Sequence, residues 1–485
     1  MTAPRLTVTE IDFFERDVVL RLPFRFGVIT LTEAPQAFIR VHIRREDGRE
    51  AIGAAAELMV PKWFDKDPSL SNEANIEQLR ASCAIAADAY KGGETKPAFV
   101  HAAANYDPIR KYAAGKALNG LVAGFGAALM DRAVLDALCR TEEVSFYDAI
   151  RANLPGIEAP TLAPDLAEFD LPRFLSNLAP KSHIHARHTV GMLDPLVAGD
   201  QDADARLGDG LPETLEEILQ AYGHRYFKVK VRGEQAADID RLCAIAAVLD
   251  RSTGEYSVSL DGNEQYEDAD SLLALWQAME AEPRLARFCK AILFIEQPIR
   301  RAAALDCDVT SLSAIRPVIL DESDDSYDTF PAGREKGYRG ISSKTCKGFY
   351  KSILNAARCS AWNDQQGSSG YFMSAEDLTC QAGLSVQQDL ALVALLGLGH
   401  VERNGHHYVF GMTGAPAAEQ TAFREAHPNL YREVGGQTCL AIKDGQIAIG
   451  SLAGNGYATA IQPDWTAMRA MPRPSPAVAR TGTTN

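Results

Sequence analysis

Two lysines, Lys228 and Lys230 in Tyr226-Phe-Lys-Val-Lys-Val231, are the first side chains in this sequence with an evident chemical use. The hexapeptide is β-prone and alternating. As a strand it turns both amines to one face and Phe227, Val229 and Val231 to the other. On an edge strand the amines would simply face water. Three apolar runs downstream argue for more, because each ends in a carboxylate: Tyr256-Ser-Val-Ser-Leu-Asp261, Ala291-Ile-Leu-Phe-Ile-Glu296 and Pro317-Val-Ile-Leu-Asp321. A fourth run, 338–343, leads into Lys344 and Lys347. Three hard oxygen donors from neighbouring strands suit an octahedral Mg²⁺ that keeps positions for water and substrate. Asp261, Glu296 and Asp321 are therefore the candidate metal ligands. The spacing excludes a preformed EF-hand loop, and the sequence shows no Cys/His cluster for zinc.

Lysines beside such a site have a task that surface lysines lack. Among other cations and partly dry walls an ammonium is expected to lose its proton more readily, so it serves as a general base. A cation on a substrate carboxylate stabilises the charge that develops when the adjacent α-proton leaves. In this reading Lys230 is the base, with Lys228 beside it holding the carboxylate. Lys347, or alternatively Lys344, faces the other side of the substrate.

Side chains so far apart in sequence meet only if the elements between them repeat. The intervals are 31 residues (230 to 261), 35 (261 to 296), 25 (296 to 321) and 26 (321 to 347), each the length of one strand-plus-helix crossover. Parallel strands joined in this way bring their C-terminal ends to one face. Continuing the pattern predicts strands over 184–190, 226–231, 256–261, 291–296, 317–321, 338–344 and 370–375, and a last one near 400–410. Helices are predicted between them over 213–222, 234–250, 268–280, 301–314, 325–336, 349–361 and 384–398. Eight strands fit a closed parallel barrel better than an open sheet. Before them, the runs around 18–27 and 37–43 read as a hairpin, the latter ending in the turn Glu46-Asp-Gly48. Helical spacing over 75–90 and 119–138 then indicates an α+β unit.

At its charged motifs the sequence resembles the enolase superfamily, in the branch of muconate-lactonising enzymes and mandelate racemase. Lys228-Val-Lys230 is similar to that family's K-x-K, Asp261-Gly-Asn263 to its D-x-N, Glu296-Gln-Pro298 to its E-Q-P and Asp321-Glu-Ser323 to its D-E-S. Lys344-Thr-Cys-Lys347 resembles its K-x-x-K, in which the second lysine is the base, although Gly348-Phe349 stands where the family continues differently. No His-Asp dyad is evident after the sixth strand, which favours the lysine–lysine type. The resemblance implies an α/β protein: a (β/α)7β TIM-like barrel under an α+β capping domain built from both chain ends. The cap corresponds to 1–145, the barrel to 180–412 and a segment returning to the cap to 435–470. That return includes Ile442 to Ile447 and Asp464-Trp465, and 471–485 is expected to be a disordered tail. The resemblance also implies Mg²⁺ as cofactor, a small-molecule carboxylate as substrate and a homo-oligomer. The reaction would be racemisation or epimerisation, dehydration or cycloisomerisation. The rival reading is a non-catalytic barrel that binds metal and ligand only.

Bulk properties narrow the setting. A net charge of −15 argues against nucleic acid or an anionic membrane as partner. No run approaches the ~18 apolar residues of a membrane span. The N-terminus lacks the apolar core of a signal peptide, and nine cysteines without a CxxC pair suit reduced thiols, so a cytoplasmic protein is expected. Specificity candidates follow from position. Phe24, Arg25 and Phe26 lie where a capping loop would meet substrate, with Arg25 either pairing a second carboxylate or reaching solvent. Trp63 and Phe64 form a lid or simply pack. Asn263, Glu376, Asp377, His188, His406 and His407 lie at strand ends that could border the pocket, and Lys344 is a further substrate contact.

Overall fold

In this computed structural model, residues 3–26, 29–252 and 254–474 are described. The chain opens with an antiparallel sheet, because long runs of alternating side chains can bury one face. β1 (Arg5–Phe26) pairs with β2 (Ile29–Arg45), and β2 with β3 (Glu50–Leu58) across the predicted Glu46-Asp-Gly48 turn. The short β4 (Lys96–Pro97) pairs with β1. Helix Asn72–Tyr90 starts where the Ser71 hydroxyl accepts from the Ala74 N–H, and helix Gly120–Thr141 where Asn119 accepts from Val122. The latter packs so closely on β3 that a Cβ at Gly53 would lie 2.0 Å from the Ala133 carbonyl oxygen. Between them lies helix Ala98–Ala114, which the sequence reading missed. It contains Pro108 and has only a weak apolar face, so neither periodicity nor composition announces it.

The second sheet is parallel. Its strands are β5 (His183–Val190), β6 (Tyr226–Lys230), β7 (Ser257–Asp261), β8 (Ile292–Glu296), β9 (Val318–Leu320), β10 (Gly340–Ser343), β11 (Phe372–Ala375) and β12 (His400–Arg403). They pair in sequence order from β5 to β11, and the sheet curls until β12 pairs in parallel with β5. Each of the seven crossovers contains a helix. Among the described residues no ladder joins β11 to β12, and side chains bridge that seam. The Asp377 N–H donates to Glu402 at 2.9 Å, and the Asn404 and Gly405 N–H groups donate to the Asp377 carboxylate at 2.9 and 3.1 Å. Two predicted elements are shorter than expected. The helix over 301–314 is formed only as Thr310–Ile315, and the last strand stops at Arg403 before a helical turn, Gly405–Tyr408.

The C-terminal residues are shared between the two sheets. After the hairpin β13 (Tyr431–Val434) and β14 (Gln437–Leu440), β15 (Gln446–Ala448) adds antiparallel to β5. The part around Ile442 to Ile447 therefore stays with the parallel sheet rather than returning to the cap as expected. The return comes later: the Trp465 ring packs tilted against Phe14, 5.3 Å between centres, and β16 (Arg469–Ala470) pairs with β1. Residues 475–485, within the expected disordered tail, lie outside the described residues. One apolar cluster runs without a break from Leu6 through Val229 to Tyr457, so cap and parallel sheet share a core. The nine cysteines are all free thiols. Among the described residues, no helix is long and apolar enough to cross a membrane.

Candidate active site

Register assembles the charged residues. Lys230, Asp261 and Glu296 are successive partners across β6, β7 and β8, so their side chains stand level at the C-terminal strand ends. Asp321 follows β9 directly and is held by the residue after Glu296. The Gln297 amide oxygen accepts from the Asp321 and Ser323 N–H groups at 2.8 and 3.1 Å, while its nitrogen donates to the Ile299 carbonyl and the Ser323 hydroxyl, both at 2.8 Å. Asn263, at φ +45°, donates its N–H to Asp261 at 2.8 Å and its side-chain amide to Glu322 at 3.1 Å.

Amines and acids interlock. Lys228 Nζ lies 2.8 Å from Glu296, 3.1 Å from Glu376, 3.1 Å from Glu402 and 3.2 Å from Asp261. Lys230 donates to Asp261 at 3.2 Å and stands 5.7 Å from the centre of the Phe24 ring. Lys344 donates to Asp321 at 2.6 Å and lies 4.4 Å from the centre of the Trp63 ring. Burial disfavours the charge on Lys228 and on Lys344, but the surrounding carboxylates outweigh it and hold both amines above the ordinary lysine range. The expected downward drift is thus reversed for these two, because each is the counter-ion of buried acids. Glu296 moves the other way from an ordinary carboxyl: burial, then the nearby Glu376 charge, push it well up. Burial also pushes Glu322 up to about 7.

Lys228, Lys230, Asp261, Asn263, Asp321, Glu322, Lys344, Asp377, Glu402 and Asn404 line one small, partly open cavity together with Phe24, Val60 and Trp63. Its volume is about 30 Å³, room for little more than water. Roomier recesses lie elsewhere, one of about 420 Å³ beside Arg225 and Arg287 and one of about 720 Å³ beside Arg110 and Lys111. Neither brings several carboxylates together.

Four expectations change. Lys347 does not border the cavity. It spends its donors on Ser342 Oγ at 2.7 Å, on the Asp321 carbonyl and carboxylate at 3.2 Å each, and pairs with Asp324 at 3.2 Å. The 3₁₀ turn Thr345–Lys347 stacks residues three apart, so both lysines reach Asp321, one per oxygen, with Lys344 on the cavity side. Arg25 is absent from the cavity wall, since alternation along β1 turns Phe24 inward. The side chain of Phe26 lies outside the described residues. Asp377 is in the wall, but its carboxylate already accepts from three backbone N–H groups. His406 sits in a different cluster with His188, behind the sheet. Glu402 and Asn404 were not foreseen, although Val401-Glu402 repeats the pattern of an apolar run ending in a carboxylate. Glu376 joins the cage through Lys228 and a pair with the buried Arg187. Trp63 lines the cavity and also packs in the apolar core.

An antiparallel α+β cap with a curled parallel sheet, and acids and lysines at the C-terminal strand ends, has counterparts among solved structures. Three of them match this chain nearly end to end. A muconate lactonizing enzyme from Pseudomonas fluorescens, complexed with muconolactone, is 16% identical at a TM-score of 0.58, over 95% of this chain and 98% of that one. A 2-chloromuconate cycloisomerase from Rhodococcus opacus is 18% identical at 0.58, again over 95% and 98%. A dipeptide epimerase from Enterococcus faecalis, complexed with Mg and the dipeptide L-Leu-L-Tyr, is 13% identical at 0.56, over 92% and 99%. These likenesses establish the fold. No family model and no curated protein matches the sequence.

Proposed function

We propose that this chain is an enolase-superfamily enzyme, a (β/α)7β barrel with a cap, that uses Mg²⁺ and two lysines to move the proton α to a carboxylate. The observation that carries this reading is the placement of Lys230 and Lys344. The acid-bearing ends of β7, β8 and β9 lie between β6 and the end of β10 in the sheet order, so the two amines border one cavity with Asp261 and Asp321, while Glu296 is buried beside it against Lys228. A protein that only bound ligand would need neither.

The residues fit a hard divalent cation. Asp261, Glu296 and Asp321 would hold it, and Glu296 Oε2 and Asn263 Oδ1 are buried with no hydrogen-bond partner among the described residues. When bound, Mg²⁺ supplies the positive charge that offsets negative charge gathering on the substrate carboxylate. Lys230 Nζ takes the α-proton on one face, and Lys344 Nζ, held as an ammonium against Asp321, returns a proton on the other. Lys228, fixed by four carboxylates, keeps those acids in place. Phe24, Val60 and Trp63 exclude water once closed, which favours proton transfer between fixed groups. Return of the proton to the opposite face gives racemisation or epimerisation, and departure of a β-group gives dehydration or cycloisomerisation of a small carboxylate.

The test is α-proton exchange in D₂O across a panel of small carboxylic acids, amino-acid derivatives and lactones, with and without Mg²⁺. Exchange that requires Mg²⁺ and is lost in Lys230→Ala on one face supports the reading. A correctly folded, Mg²⁺-loaded protein that is silent across the panel refutes it.

A further inference from the structure

Behind β5, away from the acid cage, three histidines from distant parts of the chain meet. Arg187 turns into the sheet to pair with Glu376, so its neighbour His188 points the opposite way. His224 stands just ahead of β6 and His406 just after β12. Their ring centres form a near-equilateral triangle of 5.3, 5.5 and 5.5 Å. One ring nitrogen from each lies within 4.8 Å of the other two. His188 and His224 are each only 1% exposed.

The nitrogens are idle. His188 Nδ1, His224 Nε2 and both nitrogens of His406 are buried without a hydrogen-bond partner among the described residues. Three such atoms converging on one spot are costly, since each is stripped of water with no partner in exchange. His224 shows which form is present. Its Nδ1 lies 3.0 Å from the Ala186 carbonyl, and a carbonyl only accepts, so Nδ1 carries the hydrogen and Nε2 keeps its lone pair. A second ring nitrogen bonded to a backbone carbonyl is the usual support of a metal-binding imidazole. Burial also pushes His224 down to about 4 and His188 and His406 further below the ordinary range, so all three rings are neutral ligands at neutral pH.

We propose that His188, His224 and His406 form a nitrogen-donor site for one transition-metal dication of the zinc type, distinct from the oxygen-donor cage at the strand ends. Neutral imidazoles favour zinc, copper, nickel and cobalt over magnesium, so the two sites discriminate by ligand chemistry. His407, its ring 5.3 Å from His188 and both its nitrogens without a partner among the described residues, stands ready beside the triad. The site would pin the segment 404–408. Asn404 in it lines the substrate cavity, and Tyr408 stacks 4.2 Å from the lid residue Phe24. Sequence spacing conceals the cluster, because intervals of 36 and 182 residues separate its members.

The experiment uses full-length protein stripped with chelator and then saturated with Mg²⁺. Titration with Co²⁺ should give the visible absorption of nitrogen-ligated cobalt, and equilibration with Zn²⁺ should leave one zinc per chain by elemental analysis. His188→Gln and His406→Gln should weaken binding by more than about 100-fold, whereas Asp321→Asn should leave it intact. Imidazole NMR of the unmodified protein gives a second answer should a variant misfold, with three histidines shifting on zinc addition. No zinc retained against Mg²⁺, no histidine shift, or binding lost in Asp321→Asn and kept in His406→Gln would each overturn the proposal.

Discussion

Replacing Lys344 by alanine should silence proton transfer on one face of the substrate, and replacing Lys347 should not. Lys344 commits one donor, to Asp321 at 2.6 Å, and otherwise faces the cavity across the Trp63 ring. Lys347 has three N–H donors and spends them on Ser342, Asp321 and Asp324, outside the cavity. A positioned acid or base contributes about 10²–10⁴ in rate, equivalent to about 3–5 kcal/mol of barrier. Lys344→Ala should therefore lose deuterium exchange on its own face by that factor while the face served by Lys230 continues. Lys347→Ala instead breaks a buried ion pair, with a stability loss of at most about 3–5 kcal/mol. Asp324 keeps Lys351 at 2.9 Å and Asp321 keeps Lys344, which softens that loss. Exchange per folded molecule should fall little. The assay is proton NMR of each enantiomer of an exchanging substrate in D₂O, normalised to the folded fraction. Loss of one face in Lys347→Ala, with both faces retained in Lys344→Ala, would refute the assignment.

Other outcomes follow from the same contacts. Lys228→Met should cost about 3–5 kcal/mol in urea unfolding, because it leaves Glu296, Glu376, Glu402 and Asp261 facing each other without their shared cation, and added Mg²⁺ should recover part of the loss; a variant as stable as the parent at low Mg²⁺ would contradict that view. Arg301→Ala should raise KM several-fold with kcat nearly kept, since Arg301 donates to the Trp63 and Phe64 carbonyls at 3.0 and 3.1 Å and so anchors the lid; a fall in kcat at constant KM would count against this. In the cap, burial raises Asp131 to about 7 although Tyr90 donates to it at 2.6 Å. Its folded pKa lies above the unfolded value, so the stability it lends is complete below about 4 and is lost as pH rises through about 7. Asp131→Asn should thus gain on the parent by roughly 2–3 kcal/mol between pH 5 and pH 8 in urea melts, and a pH-independent difference would show that the carboxyl does not titrate in that window.

How far the sequence could be read depended on whether a position follows from a period or from a turn. Lys230, Asp261 and Glu296 were legible because strand alternation and crossover length alone bring them level, and register does bring them level, with Lys228 one pleat earlier opposite Ser259. Arg25 was misplaced for a local reason. Its position near a capping loop says nothing about which way its side chain turns, and in β1, paired with β2 at Phe24 and Arg25, it is the neighbouring Phe24 that lines the cavity. The choice between Lys344 and Lys347 rested on a 3₁₀ turn closed by Gly348 at φ +101°, a conformation that no apolar pattern encodes.

Glu402 and Glu376 expose a deeper limit, because their role is electrostatic and collective. Each looks like the polar end of an unremarkable strand. Only closure of the sheet, β12 against β5, brings them to Lys228. Their presence changes the logic of the site. Two lysines beside three acids would be nearly balanced, whereas Glu376, Glu402 and Glu322 add carboxylates that Lys228 and Arg187 answer only in part. Burying such an acid excess is unfavourable unless a cation shares it, which is why Glu296 is driven toward its protonated form. The closed sheet thus builds a demand for positive charge at the same spot where the flanking amines need a carboxylate held still.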